Sequence, residues 1–477
     1  MDAKELRRLR PELDRFLARF HDCFDTASGE HVPIYVRGQL SDLDRKSVEP
    51  IAKRAGVAPR TLQEFLALLK WDHGRVRDRL QQMVAAEHGD PHRIGLVDET
   101  SFVKKGTKTP GVQKQWCGHL GKVENCAVTV HLGYAQGKFQ CLLDGELFLP
   151  ESWHEDRARC RKAGIPDDVV YRPKWRIALE LYDRAAANGI GFEWLTFDEG
   201  YGGKPEFLRE LSNRHQSYVA EVPKNVFAWL RKPEVATRSY GRAHEPRLRA
   251  GTPEPRRLDQ LLEKHPHLRD QPWTQYRLDD REQGPSVWEV KQAPLWTKNE
   301  NGLPGEQQHL IVARHVLLAG EVKYFISNAP VNTPIETLLL VAFTRHKVER
   351  CFQDQKSELG LDHYEGRTYQ GLIRHLILSC VSHLFLARAV LERRGEKPGV
   401  DGVSDSQSPC RPDQLAVAQW PDFDAPAGEV GGRDHQHTGR QRQSAQVAPE
   451  ADTPPASGER HQARPGQTVQ MAAGLAL

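Results

Sequence analysis

The chain contains no Cys-x-x-Cys pair, although eight cysteines are scattered along its 477 residues. That scatter supplies no four-ligand zinc set, and isolated thiols read as reduced and mostly buried. No run approaches the roughly 18 apolar residues that a membrane span needs. The opening residues, MDAKELRRLRPELDRF, lack the apolar core of a signal peptide. A cytoplasmic protein with no membrane partner is therefore expected. No GxxxxGK[ST] loop is present to cradle nucleotide phosphates, which argues against ATP use. No nucleophile elbow serves a Ser/His/Asp hydrolase, and no internal repeat marks a solenoid.

Overall charge is also modest, at a formal +3, so the balance alone demands no polyanionic partner. Local charge says more. Arg45, Lys46, Lys53, Arg54 and Arg60 stand against Glu49 alone, and Lys104, Lys105, Lys108, Lys114 and Lys122 against Glu124. Between Arg231 and Arg257 eight basic residues face three acids. One such run is usually a solvated face. Three of them favour nucleic-acid contact, because each cation near a phosphate releases a counterion.

What is there begins as helix. Leu6, Leu9, Leu13, Phe16, Leu17 and Phe20 recur at helical spacing. In IAKRAGVAPRTLQEFL, small residues and Gly56 separate two short helical patterns. The stretch resembles a helix-turn-helix, with Arg60, Thr61 and Gln63 near the start of the second helix, where bases or phosphates are reached. An ordinary helical hairpin reads the same. From about residue 93 the period changes. RIGLVDET, CAVTVHLGYA and FQCLLDGELFLP read as a β-meander. KWRIALELYDRAAANG is helical, FEWLTFDEGYGG a strand, PEFLRELSNRH helical and SYVAEVP a strand. That order predicts an α/β unit with a mixed sheet. Arg, Pro, Gln and Trp then enrich residues 225–325, which read as β-rich, and past Pro334 two long helical patterns follow.

Two of the strands end in acid, at Asp98 and Asp198, where open α/β sheets tend to hold functional groups. On the later helical pattern Arg345, Glu349, Gln353 and Lys356 share one face. That face is either a solvent-exposed ion-pair ladder or part of a site. Three carboxylates brought together repel unless protonated or metal-bound. Hard oxygen donors suit Mg²⁺ or Mn²⁺. Two such ions about 3.5–4 Å apart can clamp an in-line phosphoryl displacement.

The motifs LVDETSFVKKG, GVQKQWCGHLGKVENC, LPESWHED, FDEGYGG and VERCFQDQKSELGLDHYEGR together resemble bacterial insertion-sequence transposases of the DDE class, over roughly residues 20–394. The resemblance implies an RNase H-like α/β core, a mixed sheet with flanking helices, carrying a β-rich insertion and an N-terminal all-α domain. It places the catalytic, metal-holding acids on Asp98, Asp198 and Glu349, with Glu99 and Glu199 as minor rivals. A Tyr-Arg-Glu-Lys signature of related elements matches at Arg345, Glu349 and Lys356, but its tyrosine position holds Ala342. DNA contacts are expected from Arg345, Lys356, Lys104, Lys105, Arg60 and Trp296, with Trp288 a second candidate for base stacking. His363 could bind metal or DNA, or serve the turn it lies in.

The chemistry so implied uses two Mg²⁺ ions, with Mn²⁺ as substitute. Water hydrolyses the phosphodiester at the element's ends, and the freed 3′-hydroxyl attacks target DNA. The partners implied are double-stranded DNA, as terminal inverted repeats and target, and a second copy in a homodimeric synaptic complex of the bacterial nucleoid. The alternatives are an RNase H-like nuclease or resolvase without strand transfer, and an impaired transposase remnant that only binds DNA. The division expected is a helical DNA-binding segment at 1–88, core at 89–225, insertion at 226–325, core again at 326–398 and a tail at 399–477. From Asp401 on the chain has no Lys, Ile, Asn or Tyr and few apolar residues. Such a segment cannot fold alone, and it reads as a GC-rich stretch out of frame, a decayed end or a disordered tail.

Overall fold

A computed structural model describes residues 3–89, 92–240, 243–281, 284–317 and 320–393; the tail expected at 399–477 lies outside them. Five longer helices open the chain: α1 (Ala3–Ala18), α2 (His31–Gln39), α3 (Val48–Arg54), α4 (Pro59–Ala67) and α5 (His73–Glu87). Between α3 and α4 the chain turns at Gly56, whose φ of +68° is a left-handed conformation that a side chain would strain. The pair therefore has the turn expected of it. Leu62, Phe65 and Leu66 bury one face of α4, and Arg60 stands exposed at its start.

The sheet begins with β1 (Ile94–Val103), β2 (Gln113–Cys117), β3 (Lys122–Gln136) and β4 (Phe139–Leu147). Helix α6 (Lys174–Ala187), β5 (Trp194–Phe197), α7 (Pro205–Asn213) and β6 (Tyr218–Val222) follow. Strand β3 runs antiparallel to β1 and β4, while β5 lies parallel to β1 and β6 parallel to β5. The lateral order β4-β3-β1-β5-β6, with helices crossing between the parallel strands, is the RNase H-like arrangement.

The β-rich stretch continues this sheet. Its strands β7 (Phe227–Trp229), β8 (Thr274–Arg281), β9 (Gly284–Lys298), β10 (Pro304–His315) and β11 (Val322–Ser327) extend from β6 through β11, β10 and β9. Among the described residues, twelve strands share one mixed sheet. A polar loop could have detached this segment, but Tyr324, Phe325, Ile326 and Ser327 pair residue by residue with β6.

Three helices close the fold: α8 (Ile335–Thr344), α9 (His346–Ser357) and α10 (Tyr369–Arg393). The single helix that the sequence suggests from Ile335 onward is divided at Arg345, which ends α8 and begins α9. Helix α10 corrects the expectation that no segment is long and apolar enough for a membrane. It passes that test with a mean hydropathy of 1.4, yet 78 % of the window is buried within the protein.

Its polar side chains explain the burial. Tyr35 Oη bonds His375 Nδ1 at 2.8 Å, Gln39 Nε2 donates to Ser379 at 2.8 Å, and Ser382 donates to Gln39 Oε1 at 2.8 Å. The fully buried Arg374 caps the end of α4 by donating to the carbonyls of Phe65, Leu66, Leu69 and Trp71. A buried cation tolerates desolvation only with such partners. Helix α10 thus joins the N-terminal helices to the sheet in one hydrophobic core. The seven described cysteines are buried and free.

Candidate active site

Strand β1 does not end at its acid. It runs on to Val103, and the correction has a simple cause: β3 pairs with it throughout, from Ile94↔Ala135 to Val103↔Cys126. Only its other neighbour stops. The β1–β5 ladder ends at Val97↔Phe197, so Asp98 and Asp198 leave it side by side. Neighbouring strands lie about 4.8 Å apart, and the two carboxylates are close enough to act on each other. Burial first, and the charge of Asp198 second, push the Asp98 carboxyl up to about 8, although Arg345 opposes the shift. Burial also raises Asp198, against Arg345 and its own backbone bonds.

Those bonds come from a tight turn. Asp198 accepts from Gly200 N at 3.0 Å and Tyr201 N at 3.4 Å, as the N-cap of a short helical turn, Glu199–Gly202. Gly202 explains the glycines of FDEGYGG. A Cβ there would stand 2.0 Å from the Glu221 carbonyl oxygen, so only glycine lets the turn lie against β6.

Strand alternation separates Asp98 from its rival. Glu99 faces α6, where it pairs with Lys174 and accepts from Tyr201 Oη at 3.2 Å. Glu199 is exposed. Asp98 faces the other way, on the side of His131, its partner across β3, whose ring packs edge-on against Phe352 of α9 at 5.3 Å.

Arg345 is the hub of that side. Its Nη1 lies 3.4 Å from Asp98 Oδ2, its Nη2 2.8 Å from Glu349 Oε1 and its Nε 3.7 Å from Glu221 Oε2. Burial works against its charge, but Asp98, Glu349, Glu221 and Asp198 hold its pKa above the ordinary value. Glu349 is 59 % exposed, at the rim of the cluster. Among the described residues no three His, Cys, Asp or Glu side chains converge as a ready metal cage. Asp98 and Asp198 leave the ladder side by side, while Glu349 reaches Asp98 through the guanidinium they share. The donor set nevertheless fits a dication. It is all oxygen, and Lys323 already pairs with Glu221 at 2.8 Å. That leaves Arg345 as the cation facing two crowded aspartates and Glu349.

The remaining candidates are spread more widely. Lys356 donates to the Ser101 carbonyl at 3.3 Å and fastens α9 to β1. Lys104 donates to the carbonyls of Asp362 and Tyr364 at 3.0 and 2.7 Å, so it holds the turn after α9. His363 belongs to the same turn and accepts from Lys46 N at 3.0 Å. Lys105 is exposed. Arg60, 84 % exposed, pairs with Glu64 at 2.6 Å, far from the acids in sequence. Trp296 is buried beside Trp229 across the β9–β7 ladder, and Trp288 packs against His315 and Phe343. Sequence reasoning missed Glu221 and Lys323. The signal was available, since Glu221 is the one acid in the apolar strand SYVAEVP.

An acid pair where a parallel ladder ends, with Arg345 at the junction of α8 and α9 beside it, defines an α/β nuclease-like site. The family model for the DDE superfamily endonuclease matches residues 19–285, a span that takes in Asp98 and Asp198. The chain belongs to that family. It is also similar, with 32 % identity over 194 residues, to the "Probable transposase for insertion sequence element IS701" of Microchaete diplosiphon. That alignment covers 39 % of this chain and 47 % of the relative, so the chain spans about half the length of the curated relative it matches.

Proposed function

We propose that the protein is a DNA transposase. It cleaves phosphodiester bonds at the ends of an insertion element and joins the freed 3′-hydroxyl to target DNA. The observation that carries this reading is the side-by-side exit of Asp98 and Asp198 from the β1–β5 ladder, with Arg345 linking Asp98 to Glu349. Asp98, Asp198 and Glu349 are the proposed ligands of two Mg²⁺ ions, for which Mn²⁺ can substitute. When bound, those ions supply charge neutralisation at the phosphate and lower the pKa of the attacking water or hydroxyl. The chain's own groups do the rest. The turn at Gly200 and Tyr201 holds the Asp198 carboxylate in one orientation. Arg345 orients Glu349 and offers positive charge beside the acids, where a scissile phosphate would lie. Lys356 keeps α9 in register with β1.

In the same reading residues 1–88 contact DNA through the exposed start of α4, and two copies bring two element ends together. The protein then works at the nucleoid, in the bacterial cytoplasm. A second reading, a remnant that binds DNA without cutting it, is favoured by one observation: among the described residues no three ligating side chains converge.

The test incubates the full chain with Mg²⁺ and a duplex carrying the inverted repeats that flank its gene. Nicked ends and joined products are expected from the parent. Asp98→Asn, Asp198→Asn and Glu349→Gln should each lower cleavage at least a thousandfold while still binding the duplex. Cleavage without joining would reduce the activity to that of a nuclease. Binding with no Mg²⁺-dependent cleavage would establish the remnant.

A further inference from the structure

The β2–β3 hairpin carries a feature that the acids and their helix do not use. Three apolar side chains point into solvent there: Trp116 at 59 % exposure, Val123 at 63 % and Leu120 at 43 %. Trp116 and Val123 face each other across the ladder, and Leu120 lies in the turn between the strands. The fold does not need them, because Cys117, Cys126 and Val128 form a small buried cluster of their own. Lys114, two residues before Trp116, shares its face of β2 and is exposed. Lys105 and Lys108 are exposed in the neighbouring loop.

The hairpin and that loop are fastened together. Asn125 donates through Nδ2 to the carbonyls of Lys104 and Gly106, and Lys104 N donates back to Asn125 O at 2.9 Å. Gln115 Nε2 donates to Cys126 O at 2.7 Å. Through Lys104 the same loop is tied to the turn after α9. A rigid aromatic and aliphatic tip flanked by lysines is thus held in place relative to the acids.

We propose that this hairpin is a second DNA-contact element, with Trp116, Val123 and Leu120 set against the minor groove of a duplex and Lys105, Lys108 and Lys114 on its phosphates. This rests on the DNA-cleaving reading of the acids. Apolar wedges between lysines are a recurring minor-groove device. Charge decides against the other occupant of such a patch, a second copy of the chain. The one acid of the run, Glu124, is already paired with Lys122 at 3.4 Å, so a two-fold self-contact would press lysines against lysines. The strand also sets the distance. Val123 precedes His131, the partner of Asp98, by eight residues along β3. At about 3.3 Å per residue that is about 26 Å. On a duplex lying along β3, the hairpin tip falls about eight base pairs from the phosphate at the acids, at 3.4 Å per pair.

Two variants of the full chain test this on a fluorescein-labelled 40-base-pair duplex, with affinity read by anisotropy across a salt series. Trp116→Ala should weaken binding about tenfold, because the largest apolar side chain set against the groove is lost. Lys105→Ala/Lys108→Ala/Lys114→Ala should flatten the log–log salt slope by about 0.9 for each phosphate left without its lysine. All four residues are exposed, and circular dichroism melts matching the parent confirm the fold. If the parent binds and both variants bind equally well, the hairpin assignment alone is overturned. If the parent does not bind duplex at all, the assignment falls together with the transposase reading. If Trp116→Ala alters only the sedimentation of the free protein, the patch is an interface between copies and the hairpin assignment is overturned.

Discussion

Acidifying the protein from pH 7 to pH 5 should cost it much of its stability, because four buried histidines must charge when it unfolds. Burial pushes His88, His375 and His383 down to about 4 and His131 to about 3. In the unfolded chain each titrates near 6.5. Below that value the unfolded state binds protons that the native state refuses, so stability present at neutral pH is lost as pH falls toward the folded values. From pH 7 to 5 each ring accounts for about 2 kcal/mol, and the four for about 7 kcal/mol. Asp98 works in the opposite sense. Its raised pKa makes the native state bind the extra proton, which returns roughly 2.5 kcal/mol over the same interval. Over these five groups the net loss is about 5 kcal/mol, comparable to the whole stability of a marginal domain, about 5–15 kcal/mol. Urea denaturation followed by tryptophan fluorescence at pH 7, 6 and 5 measures it directly. His383→Gln should spare about 2 kcal/mol of the loss, since it removes one proton uptake. A denaturation free energy that stays flat between pH 7 and 5, or a His383→Gln variant with the parent's slope, would refute the reasoning.

Two further outcomes concern the scaffold around the acids. Gly202→Ala should destabilise the protein by about 2 kcal/mol or more, because its Cβ would collide with the Glu221 carbonyl and push the Asp198 turn off β6. A thermal melt unchanged from the parent would contradict that. Arg374→Met should cost about 3–5 kcal/mol in urea titration, since four carbonyls at the end of α4 lose their buried donor. A loss below about 1 kcal/mol would mean that water replaces the guanidinium.

Asp98 and Asp198 stand out in the sequence because each follows directly on a short apolar run. The order of strands and helices followed from the change of period near residue 93. The extension of β1 past Asp98 was not legible. Thr100 and Ser101 look like a loop, and only the continuous pairing with β3 keeps them extended. The division of the late helix at Arg345 was hidden for a related reason. Both halves have helical periodicity, and Arg345 itself keeps helical dihedrals. Helix α10 is legible as a helix, but its arginine, histidines and serines break the apolar run and hide how hydrophobic it is as a whole. Those same residues are what bind it to α2 and α4. Lys104 illustrates a general limit: a lysine beside an acid motif can serve phosphate or backbone, and spacing does not distinguish them.

Helix α10 has a consequence for how this gene can be cut. It is the last described element, yet the first helices of the chain lean on it, so a fragment holding those helices alone would expose the apolar face that α10 covers. A stop codon or frameshift before Arg393 strips both the bundle and the sheet of a shared wall. One placed just after it leaves that wall whole, with its bonds to α2 and α4 in place.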